Sequence, residues 1–445
     1  MKTKWSCWMM AALVCAAGMN ADARGRAPEV VCKVESDRGV LPAGQMERTV
    51  LKVTLGAPEA PRVKDRPPVN LCIVMDRSGS MAGNKIEQAK EAAITALRRL
   101  DRQDIFSLVV YDHEVETLVP AQRAENLEWI EGRIRSISSR GNTALFAGVS
   151  QGAAEIRKNL DDRYVSRLLL LSDGLANVGP SSAEDLGRLG TSLRKENVSV
   201  TTIGVGTDYN EDLMAQLAQQ SDGNTYFVEN SQDLPRIFAA ELGDVLSVVA
   251  REVRIVLECT EDVRPVRVIG RDGRIDGQKV ELNLNQLYGG QEKYVLVEVE
   301  VPATDEGKAR QLAVARCEYE NLLTRKPAVA LGSTSVTFSR ADDKVQASMN
   351  APVVKVVVMN EAAVAKDDAL RLVDENRPAE AASVLHSRSV ELRLSGEKYA
   401  DKDLLKEAEK MDATAAQAES GYLPAMERKD MKASSYQLRN QQENQ

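Results

Sequence analysis

From Val69 to about Val245, short continuous apolar runs alternate with amphipathic stretches, and this alternation constrains the fold more than any other feature of the chain. The runs at 70–75, 104–111, 166–172, 198–205 and 224–228 read as strands. Strands that are apolar on both sides must be covered on both faces, which implies a mainly parallel sheet between helical layers. Helical segments fall near 84–100, 125–137, 143–159, 181–196, 211–220 and 232–246. In the first of these, Ile86, Ala89, Ala93, Leu97 and Leu100 recur at the three-to-four spacing of one helix face. "EVETLV" at 114–119 reads as an edge strand turned back on 104–111 at Asp112-His113. A doubly wound, Rossmann-like α/β domain is therefore expected over 67–246.

After Ala250 the apolar period changes to two. "REVRIVLE", "KVELNLN", "KYVLVEVEV", "RQLAVARCEY" and "STSVTFS" alternate between Gly- or Asp-containing turns. That pattern predicts an antiparallel β-sandwich over 250–340. Residues 28–62 share it, in "EVVCKVES" and "RTVLKVTL", and are expected to complete the same sandwich. The α/β domain would then be inserted between sandwich strands, entered through the Pro-rich "APEAPRVKDRPP". Residues 352–420 carry helical periodicity. The polar, Gln/Asn-rich segment 421–445 is expected to be disordered.

The amino terminus reads as an export signal over 1–23. Lys2 and Lys4 precede the uncharged run Trp5–Met19, and Ala21-Asp22-Ala23 fits the small-x-small cleavage pattern. The run is shorter than the roughly 20 residues that span a bilayer, and Val14 before Cys15 makes a poor lipidation site. A periplasmic, cell-surface or secreted location is expected, with membrane attachment only if the segment were retained or lipidated. Four cysteines remain beyond it: Cys32, Cys72, Cys259 and Cys317. An exported chain can form disulfides, and Cys259 and Cys317, in one strand-rich region, are candidates for a pair. Cys72, inside an apolar run, reads as a buried thiol.

A net charge of -8 without a basic run argues against nucleic acid as a partner. His113 and His386 are the only histidines, and no cysteine spacing fits zinc. Histidine-based catalysis and soft-metal sites are therefore not expected.

The chemistry of the chain concentrates where strands end. "DRSGSM", Asp76 to Met81, follows directly on the apolar run "NLCIVM". Ligands of open α/β sheets bind beyond the carboxyl ends of the strands, and Asp76, Ser78 and Ser80 lie at such an end. Thr143, in "RGNTALFAGV", begins a helical segment, and Asp173, in "LLLLSDGLANVG", ends another apolar run. Each feature alone reads as a helix cap or a turn. Together they bring hydroxyl and carboxylate oxygens to one sheet edge, a donor set suited to Mg²⁺ first, and to Mn²⁺ or Ca²⁺. Arg77 is expected to face solvent and Met81 to pack inward. Asp112 and Asp208 read first as structural residues, Asp208 with Asn210 fitting the start of the next helix, with shaping of the rim as the alternative.

This pattern resembles the metal-ion-dependent adhesion site of von Willebrand factor type A (VWA) domains. All five positions agree: Asp76, Ser78, Ser80, Thr143 and Asp173. "YD" at 111–112, "IGVGTDYNEDL" at 203–213 and "YFVENSQDL" at 226–234 agree as well. With the following sandwich, the chain is similar to bacterial secreted relatives of inter-α-trypsin inhibitor heavy chains and calcium-activated chloride channel regulators. The resemblance implies that Ser78, Ser80 and Thr143 contact the cation directly, while the two aspartates act largely through water. It also implies a protein partner that supplies an Asp or Glu carboxylate to the open coordination position, and no small-molecule substrate. An exported, non-enzymatic binding protein is the leading expectation. A scaffold working through the sandwich and carboxyl-terminal helices is the alternative. A metal-dependent hydrolase is disfavoured because Ser78 stands where an aspartate-based phosphatase carries its second carboxylate.

Overall fold

The computed structural model describes residues 29–60 and 66–442. The segment read as an export signal, and part of the Pro-rich connector, lie outside these residues.

The described residues begin with β1 (Val31–Ser36), β2 (Val40–Pro42) and β3 (Glu47–Gly56). An α/β unit follows, built from β4 (Val69–Asp76), α1 (Asn84–Leu97), β5 (Ile105–Tyr111), β6 (Val115–Arg123), α2 (Leu127–Arg135) and α3 (Leu145–Arg157). It continues with β7 (Val165–Ser172), α4 (Ala183–Lys195), β8 (Val198–Val205), α5 (Glu211–Ser221), β9 (Thr225–Val228) and α6 (Leu234–Leu246). Its sheet has the order β6-β5-β4-β7-β8-β9, parallel except for the antiparallel edge strand β6. β4, β5, β7 and β8 are buried throughout, because helices cover both faces. Alternate residues of one strand serve the two layers. Leu71, Ile73 and Met75 pack toward α1 and α6, whereas Cys72 and Val74 pack toward α3.

The sandwich resumes with β10 (Val248–Cys259), β11 (Arg264–Ile269), β12 (Arg274–Asp276), β13 (Lys279–Tyr288), β14 (Glu292–Val301), β15 (Ala309–Asn321) and β16 (Lys326–Ser339). One sheet runs β1-β3-β14-β11 and the other β12-β13-β10-β15-β16-β2. The amino-terminal strands are thus built into both sheets, and the α/β unit is inserted between β3 and β10. Arg167 of β7 ties the two units together. Fully buried, it donates to Gln286 (2.7 Å) and to the Tyr288 hydroxyl (3.1 Å) of β13 and lies 3.5 Å from Glu241 of α6.

The strand register corrects one expectation about the cysteines. Cys317 of β15 lies opposite Ile255, and Cys259 opposite Ala313. The two cysteines are thus four residues apart along paired strands, about 13 Å. A disulfide needs Cα atoms about 6 Å apart. Cys32, Cys72, Cys259 and Cys317 are all buried free thiols.

Five helices close the described residues: α7 (Asp342–Ala347), α8 (Ala351–Asp374), α9 (Pro378–Tyr399), α10 (Lys402–Glu419) and α11 (Ala425–Arg439). The last contradicts the expectation of a disordered tail over 421–445 as far as residue 442; residues 443–445 lie outside the described residues. Its sequence is polar, but Met431 and Tyr436 are almost completely buried, and its polar groups pair with a sheet edge that would otherwise be open. The Tyr436 hydroxyl donates to the Gly223 carbonyl at 2.7 Å. The Gln442 amide spans Thr225 of edge strand β9, accepting from its N–H (3.2 Å) and donating to its carbonyl (3.1 Å). Covering an edge strand satisfies its free backbone groups, so polarity here reflects pairing rather than solvation.

Candidate metal centre

Strand register decides what meets at the carboxyl edge of the parallel sheet. Asp76 lies beside Tyr111, and Met75 beside Leu171, so β4, β5 and β7 deliver Asp76, Asp112 and Ser172-Asp173 side by side.

Asp76 is fully buried. One carboxylate oxygen accepts from the Ser78 N–H (2.8 Å), the other from the Ser172 hydroxyl (2.8 Å). Burial pushes its carboxyl up to about 6, against the downward pull of those hydrogen bonds. A neighbouring positive charge would favour the ionised form.

Ser78 precedes a short 3₁₀ turn, Gly79–Met81, and makes no side-chain cap bond, so its hydroxyl is not spent on the turn. That hydroxyl lies 3.0 Å from the Ser80 hydroxyl, which is 2.7 Å from a carboxylate oxygen of Asp173. Thr143 does not cap α3 either: the cap position belongs to Ala144. The Thr143 backbone is held instead by Asn177, whose side-chain oxygen accepts from the Thr143 N–H (2.9 Å) and whose own N–H donates back to the Thr143 carbonyl (3.1 Å).

Gly174 shows how closely these groups converge. A Cβ placed on it would lie 3.2 Å from Thr143 Oγ1, 3.4 Å from Ser80 Oγ and 3.9 Å from Ser78 Oγ. The three hydroxyls therefore surround one small space that glycine leaves open. Asp76, Ser78, Thr143 and Asp173 are buried, whereas Ser80 is exposed and opens the cluster to solvent. Every donor is a hydroxyl or carboxylate oxygen, the chemistry that a hard divalent cation requires. The five residues fit such an ion.

The rim is held by a second cluster. Burial works against ionising Asp112, but hydrogen bonds from the Glu114 N–H, Arg140 and Arg77 hold its carboxyl below the usual range. Arg77 Nε donates to it at 2.7 Å and Arg140 Nε at 2.9 Å. The Arg140 N–H also donates to the Arg77 carbonyl (2.7 Å), and the Gly79 N–H to the Gly141 carbonyl (3.0 Å). Arg77 was expected to face solvent. It is buried, because it links the Asp76 loop to the Thr143 loop through Asp112. Met81 packs inward as expected, completely buried. Asn210 caps α5, accepting from the Asp212 and Leu213 N–H groups, while Asp208 is exposed.

Three contributors escaped the sequence reading. Ser172 and Asn177 are common loop residues, and nothing in their spacing marks them. Lys85 could have been noticed. It sits in the first turn of α1, where the helix dipole disfavours a cation, and its ammonium reaches Asp173 at 2.6 Å.

Comparison with known proteins bears on the α/β unit as a whole. Residues 70–240 match the family profile of the von Willebrand factor type A domain. The protein sll0103 of Synechocystis sp. is 28% identical over 242 residues, 52% of this chain and 57% of that protein. Human inter-alpha-trypsin inhibitor heavy chain H3 is 29% identical over 165 residues, 35% of this chain and 18% of its own length. The chain thus spans little more than half, or less, of these curated relatives. Among solved structures, the "von Willebrand factor type A from Catenulispora acidiphila" superposes with a TM-score of 0.65 at 16% identity, covering 88% of this chain and 97% of that one. This last likeness concerns the fold.

Proposed function

We propose that the von Willebrand factor type A domain carried by this chain is a cation-dependent docking module on an exported, non-enzymatic protein. Ser78, Ser80 and Thr143 would hold Mg²⁺ by their hydroxyls, with Asp76 and Asp173 acting largely through water. A protein partner would supply an Asp or Glu carboxylate. The observation that carries the reading is the convergence of three hydroxyls, from two separate loops, around the space at Gly174. Neutral hydroxyls leave the ion much of its charge, so it keeps a strong attraction for an external acid. Domains of this type mediate protein–protein interaction, which accords with a binding role.

Hydrolysis finds little support. Asp76, the obvious nucleophile, is fully buried with both carboxylate oxygens already accepting hydrogen bonds.

The test is capture of envelope proteins by the full chain, wild type against Ser78→Ala, with Mg²⁺ or EDTA. Partners should be retained only by wild type with Mg²⁺. Capture that persists in both controls sinks the proposal. One observation favours a scaffold as the second reading: α9 exposes Leu394 (62%) and Val390 (40%) on an outer face. Leu394→Glu should break assembly under that reading and leave Mg²⁺-dependent capture untouched under the first.

A further inference from the structure

Asp173 is held from both sides. One carboxylate oxygen accepts from the Ser80 hydroxyl at 2.7 Å, the other from the Lys85 ammonium at 2.6 Å. Asp173 is fully buried, and the Lys85 side chain is 30% exposed. Lys85 lines a cavity of about 500 Å³ with Val205, Glu229, Asn230 and Ser231. Among the described residues its ion pair is with Asp173; Glu229, on the same cavity wall, makes none with it. Glu87, the acid in the first turn of α1, is taken by Lys90 at 2.8 Å.

The charges can be counted. Asp76 and Asp173 together with Lys85 sum to a single negative charge when all are ionised. A divalent ion then gives the centre one surplus positive charge. Without Lys85 the same ion would only balance the two carboxylates. A like charge one carboxylate away also repels the ion directly, and the hydrogen bond to Lys85 occupies an Asp173 oxygen that would otherwise be free to polarise a bound water.

We infer that Lys85 is a built-in competitor of the cation, holding down its affinity for the bare site through the ion pair with Asp173. The inference rests on the cation site proposed above. Its consequence is that the loaded centre keeps surplus positive charge for an incoming acid to neutralise.

Mn²⁺ titrated into the full-length chain by calorimetry tests this, with wild type, Lys85→Met, Lys85→Arg and Ser78→Ala compared. Lys85→Met should bind Mn²⁺ at least about tenfold more tightly, and Mn²⁺ should raise its melting temperature more than that of wild type. Lys85→Arg, which keeps the charge, should behave as wild type. Equal or weaker Mn²⁺ binding by a folded Lys85→Met overturns the inference while leaving the cation site standing. Failure of both wild type and Lys85→Met to bind Mn²⁺ overturns the cation site itself.

Discussion

The Ser80 hydroxyl meets the Asp173 carboxylate at 2.7 Å across 93 positions of sequence, joining the loop after β4 to the loop after β7. Ser80→Ala removes this link but leaves Asp173 its bond to Lys85. The variant should therefore fold, at a cost of about 1 kcal/mol in chemical denaturation. It should also lose most Mg²⁺-induced stabilisation, measured as the shift in melting temperature on adding the ion.

Gly174→Ala tests the shape of the space itself. The added methyl would sit 3.2 Å from Thr143 Oγ1 and 3.4 Å from Ser80 Oγ, where the ion is proposed to bind. Stability without metal should fall by about 1–3 kcal/mol, since the buried Thr143 must give by a few tenths of an ångström. Divalent-ion binding, followed by calorimetry, should disappear. Undiminished binding would place the ion elsewhere.

A pH effect is expected away from the metal centre. Asp222 ends α5 in the left-handed region, at φ 57°, and burial pushes its carboxyl up to about 6 against the pull of Arg194, Lys293 and Arg271. Below about pH 4 the residue is protonated whether the chain is folded or not, and it contributes no penalty. As pH rises through the interval up to about 6, the unfolded chain has already lost a proton that the folded chain still holds. Stability falls across that interval. Asp222→Asn, which tolerates the same backbone, should therefore gain about 1–2 kcal/mol at neutral pH, discounted for its partial exposure. The gain should vanish near pH 3.5, and urea unfolding at the two pH values checks both limits.

The carboxyl-terminal helix should prove integral to the α/β unit. Tyr436 is almost completely buried and donates to the Gly223 carbonyl. Tyr436→Ala should cost about 3–5 kcal/mol, and amide exchange should accelerate along β9, where Thr225 is the partner of Gln442. Tyr436→Phe, which removes only the hydroxyl, should cost about 1–3 kcal/mol.

The fold was legible where burial is symmetrical. β4, β7 and β8 are covered on both faces, so their apolar runs stood out, and the expected bounds of β8 agree with those observed. The change to period two marked the sandwich for the same reason. The α11 helix was illegible because only a few apolar side chains, Met431 and Tyr436 among them, are buried along it, and polar side chains such as Gln437 make the other contacts with backbone groups, which leaves a weak apolar period to read. At the candidate site, the five oxygen-bearing residues could be named because each follows a strand or precedes a helix. Arg77 was misjudged because its burial depends on Asp112 and Arg140, whose meeting is set by tertiary structure rather than spacing. Lys85 was overlooked although its place at a helix start was a signal.

The most direct measurement is Mg²⁺ titration calorimetry on the full chain, comparing wild type with Ser78→Ala/Thr143→Ala and verifying both folds by circular dichroism. The account predicts one ion bound per wild-type chain and none by the double variant. Equal binding by the two proteins, or none by wild type, would contradict it.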